Sequence, residues 1–172
     1  MASINQERVI RLLQNGIKRN RISHAYCFSG PKGSGKEKTA LFLAQLLNCD
    51  QTQETPCQIC RSCRQIQHGN HPDIRWLDPE GASIKINQMR QIQQQFSYSA
   101  SAGITRIVII RQADKMTTEA ANSLLKFLEE PTTKMVALLL TERRHALLPT
   151  IRSRCQLLQF SPPPPDQIAK RL

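Results

Sequence analysis

No run of about 18 or more apolar residues occurs in the chain, which excludes a membrane-spanning helix. The amino terminus also lacks a charged stretch followed by an apolar one, the pattern of a secretory signal. These absences lead to the expectation of a cytoplasmic protein. In that reducing compartment the six cysteines point to metal ligation or buried thiols, not to a disulfide framework. Acidic residues are scarce too: 13 Asp and Glu stand against 24 Lys and Arg, a formal charge of +11. Such a balance predicts attraction to phosphates or acidic partners. Between residues 8 and 38, Arg8, Arg11, Lys18, Arg19, Arg21, Lys32, Lys36 and Lys38 face Glu37 alone. A solvated basic face accounts for this equally well, because charge alone does not separate nucleic acid from protein partners.

With 172 residues the chain can build one main domain with a real core. Val9, Ile10, Leu12, Leu13 and Ile17 recur at helical spacing over residues 5–17, with Gly16 and Asn20 as stop signals. Residues 24–28 form a short apolar and aromatic run, a buried strand that leads into a Gly-rich loop. A helix is expected over 39–47, and a polar insertion with Pro56 over 49–63, with a helix resuming over 63–68. Further strands are expected at 71–77, 107–110, 136–140 and 156–160. Asp78 to Gly81 reads as a turn, and Ile151 opens a short element. Ile86, Met89, Ile92 and Phe96 give one buried stripe on a helix over 84–98. Thr117 is the expected N-cap of a helix over 118–130 that Pro131 ends. Strands alternating with helices predict an α/β fold, a parallel sheet with helices on both faces. The proline run Ser161-Pro-Pro-Pro-Pro165 is a stiff spacer, and the remaining residues look like the start of a further helix. The expected organisation is therefore one domain over 1–160, then a linker and the start of a following helical domain over 161–172, as in the amino-terminal part of a longer protein.

The loop Gly30-Pro-Lys-Gly-Ser-Gly-Lys-Glu37 has the spacing of a phosphate-binding P-loop. Its glycines let backbone N–H groups curl around phosphate oxygens at a helix N-terminus, and its lysine reaches the terminal phosphates. Gly30, Gly33, Gly35 and Lys36 are the candidate nucleotide-phosphate residues, for ATP or ADP. Two things are missing. Glu37 stands where a Ser or Thr hydroxyl would help hold magnesium, and the strand in the stretch Arg106 to Met116 offers Arg111 and Gln112 at its tip where an acidic pair would sit. Asp114 lies three residues too late to replace the first acid. Two independent defects in one metal-dependent chemistry predict loss of hydrolysis, whereas nucleotide binding stays open.

Cys57-Gln-Ile-Cys60-Arg-Ser-Cys63 holds two consecutive C-x-x-C spacings, and Cys49 lies just upstream. Four thiolates suit a closed tetrahedral zinc site, which leaves no position for substrate and is therefore structural. His68 and His71 are spare ligands nearby, and free thiols are the alternative. Cys27, inside the first strand, reads as a buried core thiol.

In this order the strings HAYCFSGPKGSGK, the cysteine cluster, HPDIRWLDPEG with IKINQMRQI, ADKMTTEAANSLLKFLEEP and LLPTIRSRCQ resemble one family. It is the delta-prime subunits of bacterial DNA polymerase III clamp loaders, of the AAA+ clamp-loader family. The resemblance implies an AAA+ P-loop NTPase-like fold with a zinc-binding insertion at about 49–68, zinc being held by Cys49, Cys57, Cys60 and Cys63. It implies partnership with gamma/tau and delta subunits, and with a sliding clamp and primed DNA through the complex. The gamma/tau motor subunits share most of these strings but keep the hydroxyl and the acidic pair. Glu37, Arg111 and Gln112 depart from that pattern and place the chain on the delta-prime side. Ser153-Arg154-Cys155 matches the motif whose arginine enters the ATP site of an adjacent subunit, which implies that Arg154 acts in trans. Thr141 falls where the fold carries a polar phosphate sensor, without a decisive match. The resemblance also implies a DNA-facing surface, for which helix starts at Ser83 and Thr117, with Lys85 and Arg90, are candidates. Three functions are carried forward: a non-hydrolysing clamp-loader subunit, an active ATPase of gamma/tau type, and a zinc-dependent DNA-binding module.

Overall fold

The computed structural model describes residues 4–51, 54–97, 103–129 and 134–162. The elements are α1 (Ile4–Lys18), β1 (Ala25–Ser29), α2 (Lys36–Asn48), α3 (Arg61–Gln67), β2 (Ile74–Leu77), α4 (Ile86–Gln95), β3 (Arg106–Ile110), α5 (Thr118–Glu129), β4 (Met135–Thr141), α6 (Pro149–Arg152) and β5 (Gln156–Gln159). The five strands form one sheet in the order β2-β3-β4-β1-β5. Every pairing is parallel. The expected α/β architecture is therefore present. The expected positions 98, 130 and 131, and the chain from 163 onward, lie outside the described residues.

β1, β3 and β4 are buried at every position. This is why their sequences run continuously apolar instead of alternating. Alternate residues nevertheless serve two separate cores. Cys27, Val108, Ile110, Ala137 and Leu139 pack with Met89, Ile92, Leu124 and Ile151 under α4, α5 and α6. Tyr26, Phe28, Ile107, Ile109 and Leu138 pack with Val9, Leu13, Leu43 and Ile66 under α1, α2 and α3. The carboxyl ends of all five strands lie on one edge, where open α/β sheets hold ligands.

Several boundaries differ from expectation. α1 runs through Gly16 and is closed further on by Asn20 in the left-handed region and by Arg21 N–H donating to the Gly16 carbonyl at 2.7 Å. β2 begins at Ile74, not at 71, because His71 sits buried in a preceding turn and accepts from the Asp73 amide at 3.1 Å. α4 begins at Ile86, since Ile84 is used in a parallel bridge to Met116. Thr117 caps α5 as expected, accepting from the Ala120 amide at 3.2 Å.

Asn48 pins the end of α2 to the approach of β3. Its amide donates to the Ala44 and Thr105 carbonyls at 3.2 and 3.0 Å and accepts from the Thr105 N–H at 2.8 Å. The side chain is buried, so Asn48→Ala strands those groups. The expected destabilisation is about 1–3 kcal/mol in urea unfolding, and a change near zero would refute this anchoring role.

Candidate functional site

The loop between β1 and α2 is built around two glycines. A Cβ on Gly30 would come within 2.6 Å of the Phe160 carbonyl oxygen, and one on Gly35 within 2.6 Å of the Gln6 amide. Gly35 also has φ +92, a conformation in which a side chain is strained. Gly33 and Ser34 complete the curve. The Ser34 hydroxyl is buried and has no hydrogen-bond partner among the described residues. The Lys36 ammonium bends back onto its own loop and donates to the Gly30 and Pro31 carbonyls at 2.6 and 2.9 Å. Burial lowers its pKa, opposed by Glu142 and Glu37.

Across the sheet edge, the guanidinium of Arg111 occupies the space between the loop helix and β2. It makes a bidentate pair with Asp78, Nε to Oδ1 at 2.5 Å and Nη2 to Oδ2 at 2.7 Å, and its Nη1 lies 3.7 Å from Glu37 Oε2. It also lies 4.8 Å from the centre of the Trp76 ring, within cation–π range. The Asp78 hydrogen bonds raise the Arg111 pKa further. The two substituted positions therefore meet each other. Glu37 is taken up by a guanidinium, and that guanidinium is gripped by both oxygens of the Asp78 carboxylate, so this arrangement does not fit magnesium. Asp78 read as a turn residue in the sequence. Its signal was its place after a strand ending on the same edge.

Thr141, at the end of β4, donates from Oγ1 to Asp114 Oδ1 at 2.7 Å and accepts from the Arg143 N–H at 3.0 Å. Asp114 thus orients the Thr141 hydroxyl. Gln112 is exposed in the left-handed region at φ +52. Arg154 is exposed at the turn after α6 and pairs with Glu129 at the end of α5. α6 is anchored by the buried Ile151, whose carbonyl accepts from the Arg154 N–H at 3.1 Å. Of the expected DNA-facing helix starts, Ser83 is not one: α4 starts after Lys85, whose amide donates to the Gln88 side chain at 2.9 Å. Lys85 and Arg90 are exposed.

The four cysteines come together away from this edge. The sulfurs of Cys49, Cys57, Cys60 and Cys63 all lie within 4.8 Å of one another. A tetrahedron with ~2.3 Å zinc–sulfur bonds has edges of ~3.8 Å, so the set could hold such an ion. Amide N–H groups already point at the sulfurs: Cys57 N to Cys49 Sγ at 3.4 Å, Cys60 N to Cys57 Sγ at 3.3 Å, and Cys63 N to Cys60 Sγ at 3.4 Å. Amide donors from Ile59 and Cys60 bring the Cys57 thiol down to about 7. His68 is exposed and His71 is committed to the Asp73 amide, so neither histidine is needed. Cys27 is buried, and burial pushes its thiol up to about 11.

A family model described as "DNA polymerase III, delta subunit" matches residues 5–164. The chain belongs to this family. It is 48% identical over 167 residues to the DNA polymerase III subunit delta' of Bacillus subtilis, covering 97% of this chain and 51% of that protein. It therefore spans about half the length of that relative. The DNA polymerase III subunit tau of Escherichia coli is 37% identical over 158 residues, covering 91% of this chain and 24% of the relative. Among solved structures, a DNA polymerase III gamma subunit-related protein from Thermotoga maritima superposes with a TM-score of 0.62 at 26% identity, covering 92% of this chain and 48% of the other. The sheet and its flanking helices are those of the AAA+ fold. No helix among the described residues is long and apolar enough to cross a membrane.

Proposed function

We propose that this chain is the nucleotide-binding-like domain, over 1–160, of a cytoplasmic clamp-loader subunit that does not hydrolyse ATP. It supplies Arg154 to the ATP site of a neighbouring ATPase subunit. Its partners are gamma/tau and delta subunits, and through them the sliding clamp and primed DNA. Cys49, Cys57, Cys60 and Cys63 hold a structural zinc, which supplies rigidity and no catalysis because four thiolates leave no open position.

The observation that carries this reading is the Arg111 guanidinium held between Glu37 and Asp78. Phosphoryl transfer in such sites relies on a metal held by a hydroxyl and an acid, with a second acid or amide orienting water. Here the hydroxyl position is an acid and the acid position is a base, and they neutralise each other. Lys36 and the loop glycines can still cradle phosphate, with ATP or ADP as the ligand.

Relatedness to tau subunits favours one other reading, an active ATPase of gamma/tau type. Steady-state hydrolysis by the purified protein separates the two. The expected result is no turnover beyond that of a Lys36→Ala variant. Magnesium-dependent turnover that Lys36→Ala abolishes would overturn the proposal.

A further inference from the structure

We infer that Arg111 is a built-in cation standing in the divalent metal's place, which makes the loop a metal-independent site for a nucleoside diphosphate. This deepens the reading above, that the chain's own site does not hydrolyse ATP. Three side chains from two segments fix the guanidinium. Asp78, just after β2, holds it by two bonds at 2.5 and 2.7 Å, Trp76 lies under it at 4.8 Å, and Glu37, in the first turn of α2, flanks it at 3.7 Å. A divalent ion entering here would sit beside a like charge and would have to break the bidentate pair, the stronger kind of ionic hydrogen bond.

The cradle itself is intact. It is the N-terminus of a 13-residue helix preceded by a glycine-rich turn, where backbone N–H groups and the helix dipole favour anions. An independent feature points to a ligand: the Ser34 hydroxyl inside this loop is only 4% exposed and unpartnered. The Lys36 ammonium is held by two neutral carbonyls, contacts that anionic phosphate oxygens would replace with stronger ones.

The preference for a diphosphate follows from charge. The loop serves the α- and β-phosphates, whereas the γ-phosphate depends on a metal bridging it to the β-phosphate. In this chain Glu37 lies in the first turn of α2 beside Arg111, and Glu142 follows Thr141 at the end of β4 on the same sheet edge. Arg111 fills the metal's place but its single charge is already committed to two carboxylates, Asp78 and Glu37, so a third phosphate would meet a net negative cluster with no metal to offset it.

Calorimetric titration of the full-length purified protein with ADP and with ATP, each in EDTA and in excess magnesium, tests this. ADP should bind with a Kd that changes by no more than roughly twofold with magnesium, and ATP in EDTA should bind at least about tenfold more weakly than ADP. The double variant Glu37→Thr/Arg111→Asp, checked for folding by its thermal midpoint, should instead bind ATP at least about tenfold more tightly when magnesium is present. No detectable ADP binding by the unchanged protein would overturn the inference, and so would tenfold tightening of ADP by magnesium. A protein that neither hydrolyses ATP nor binds ADP sinks this inference and leaves the non-hydrolysing role standing.

Discussion

Arg154→Ala is expected to lower the DNA-stimulated ATPase of a reconstituted loader by a factor on the order of 10³, the lower end of what a guanidinium supplied in trans contributes elsewhere. Its mechanism is electrostatic. The guanidinium meets negative charge that develops on the transferring phosphoryl group, so kcat should fall far more than nucleotide affinity. Before assembly Arg154 pairs with Glu129, and both side chains are about half exposed. Such a pair is worth about 0–1 kcal/mol, against the roughly 4 kcal/mol that a thousandfold rate effect represents. Leaving Glu129 for a neighbouring site therefore costs little. Arg154→Lys should recover only part of the rate, because an ammonium keeps the charge but not the planar fork. Assembly should persist, since Ile151 and not Arg154 packs α6 into the core. An unchanged ATPase in a fully assembled complex would remove the trans role.

The second large effect concerns the cysteine cluster. The protein is expected to purify with one zinc per chain, and Cys60→Ser should weaken zinc retention by more than the roughly 10–100-fold that follows loss of a mere supporting group. Metal binding in sites of this kind is coupled to folding, so the loss should appear as structure as well as stoichiometry. The insertion is tied to the body by Gln45, which donates to the Cys63 carbonyl at 3.0 Å, and by Gln14, which donates to the Glu54 carbonyl at 2.7 Å. Proteolysis in the 49–68 region should therefore accelerate while the two sheet cores survive. DNA binding by the assembled loader should change little. If Cys60→Ser abolished DNA binding with the insertion still protected, the zinc-dependent DNA-binding reading would replace this one.

The parts of the fold legible in the sequence were those written in local pattern. Unbroken apolar runs marked β3 and β4 because both faces of those strands are covered, and Thr117 announced α5 through its capping hydroxyl. The misplaced boundaries share a cause. Ile84 is fully buried and so extended the apolar stripe of α4, yet its backbone is used in a bridge to Met116. His71 falls at the start of the β2 candidate, although its ring is buried and serves a turn. Burial is visible in composition, whereas the use of the backbone at a buried position is not.

Taken alone, the sequence determined the residue types of each part: a glycine-rich loop with P-loop spacing and its lysine, four thiols at ligand spacing, and Glu37 and Arg111 where that pattern would have a hydroxyl and an acid. Only the tertiary structure decided that those replacements answer each other. Arg111 and Asp78 are 33 residues apart, and they meet because parallel strands bring their carboxyl ends to one edge and because β2 lies beside β3. β4, inserted between β3 and β1, likewise carries Thr141 into the gap and onto Asp114. Strand order follows from how crossovers pack around the sheet, a long-range outcome that no local pattern of residues encodes.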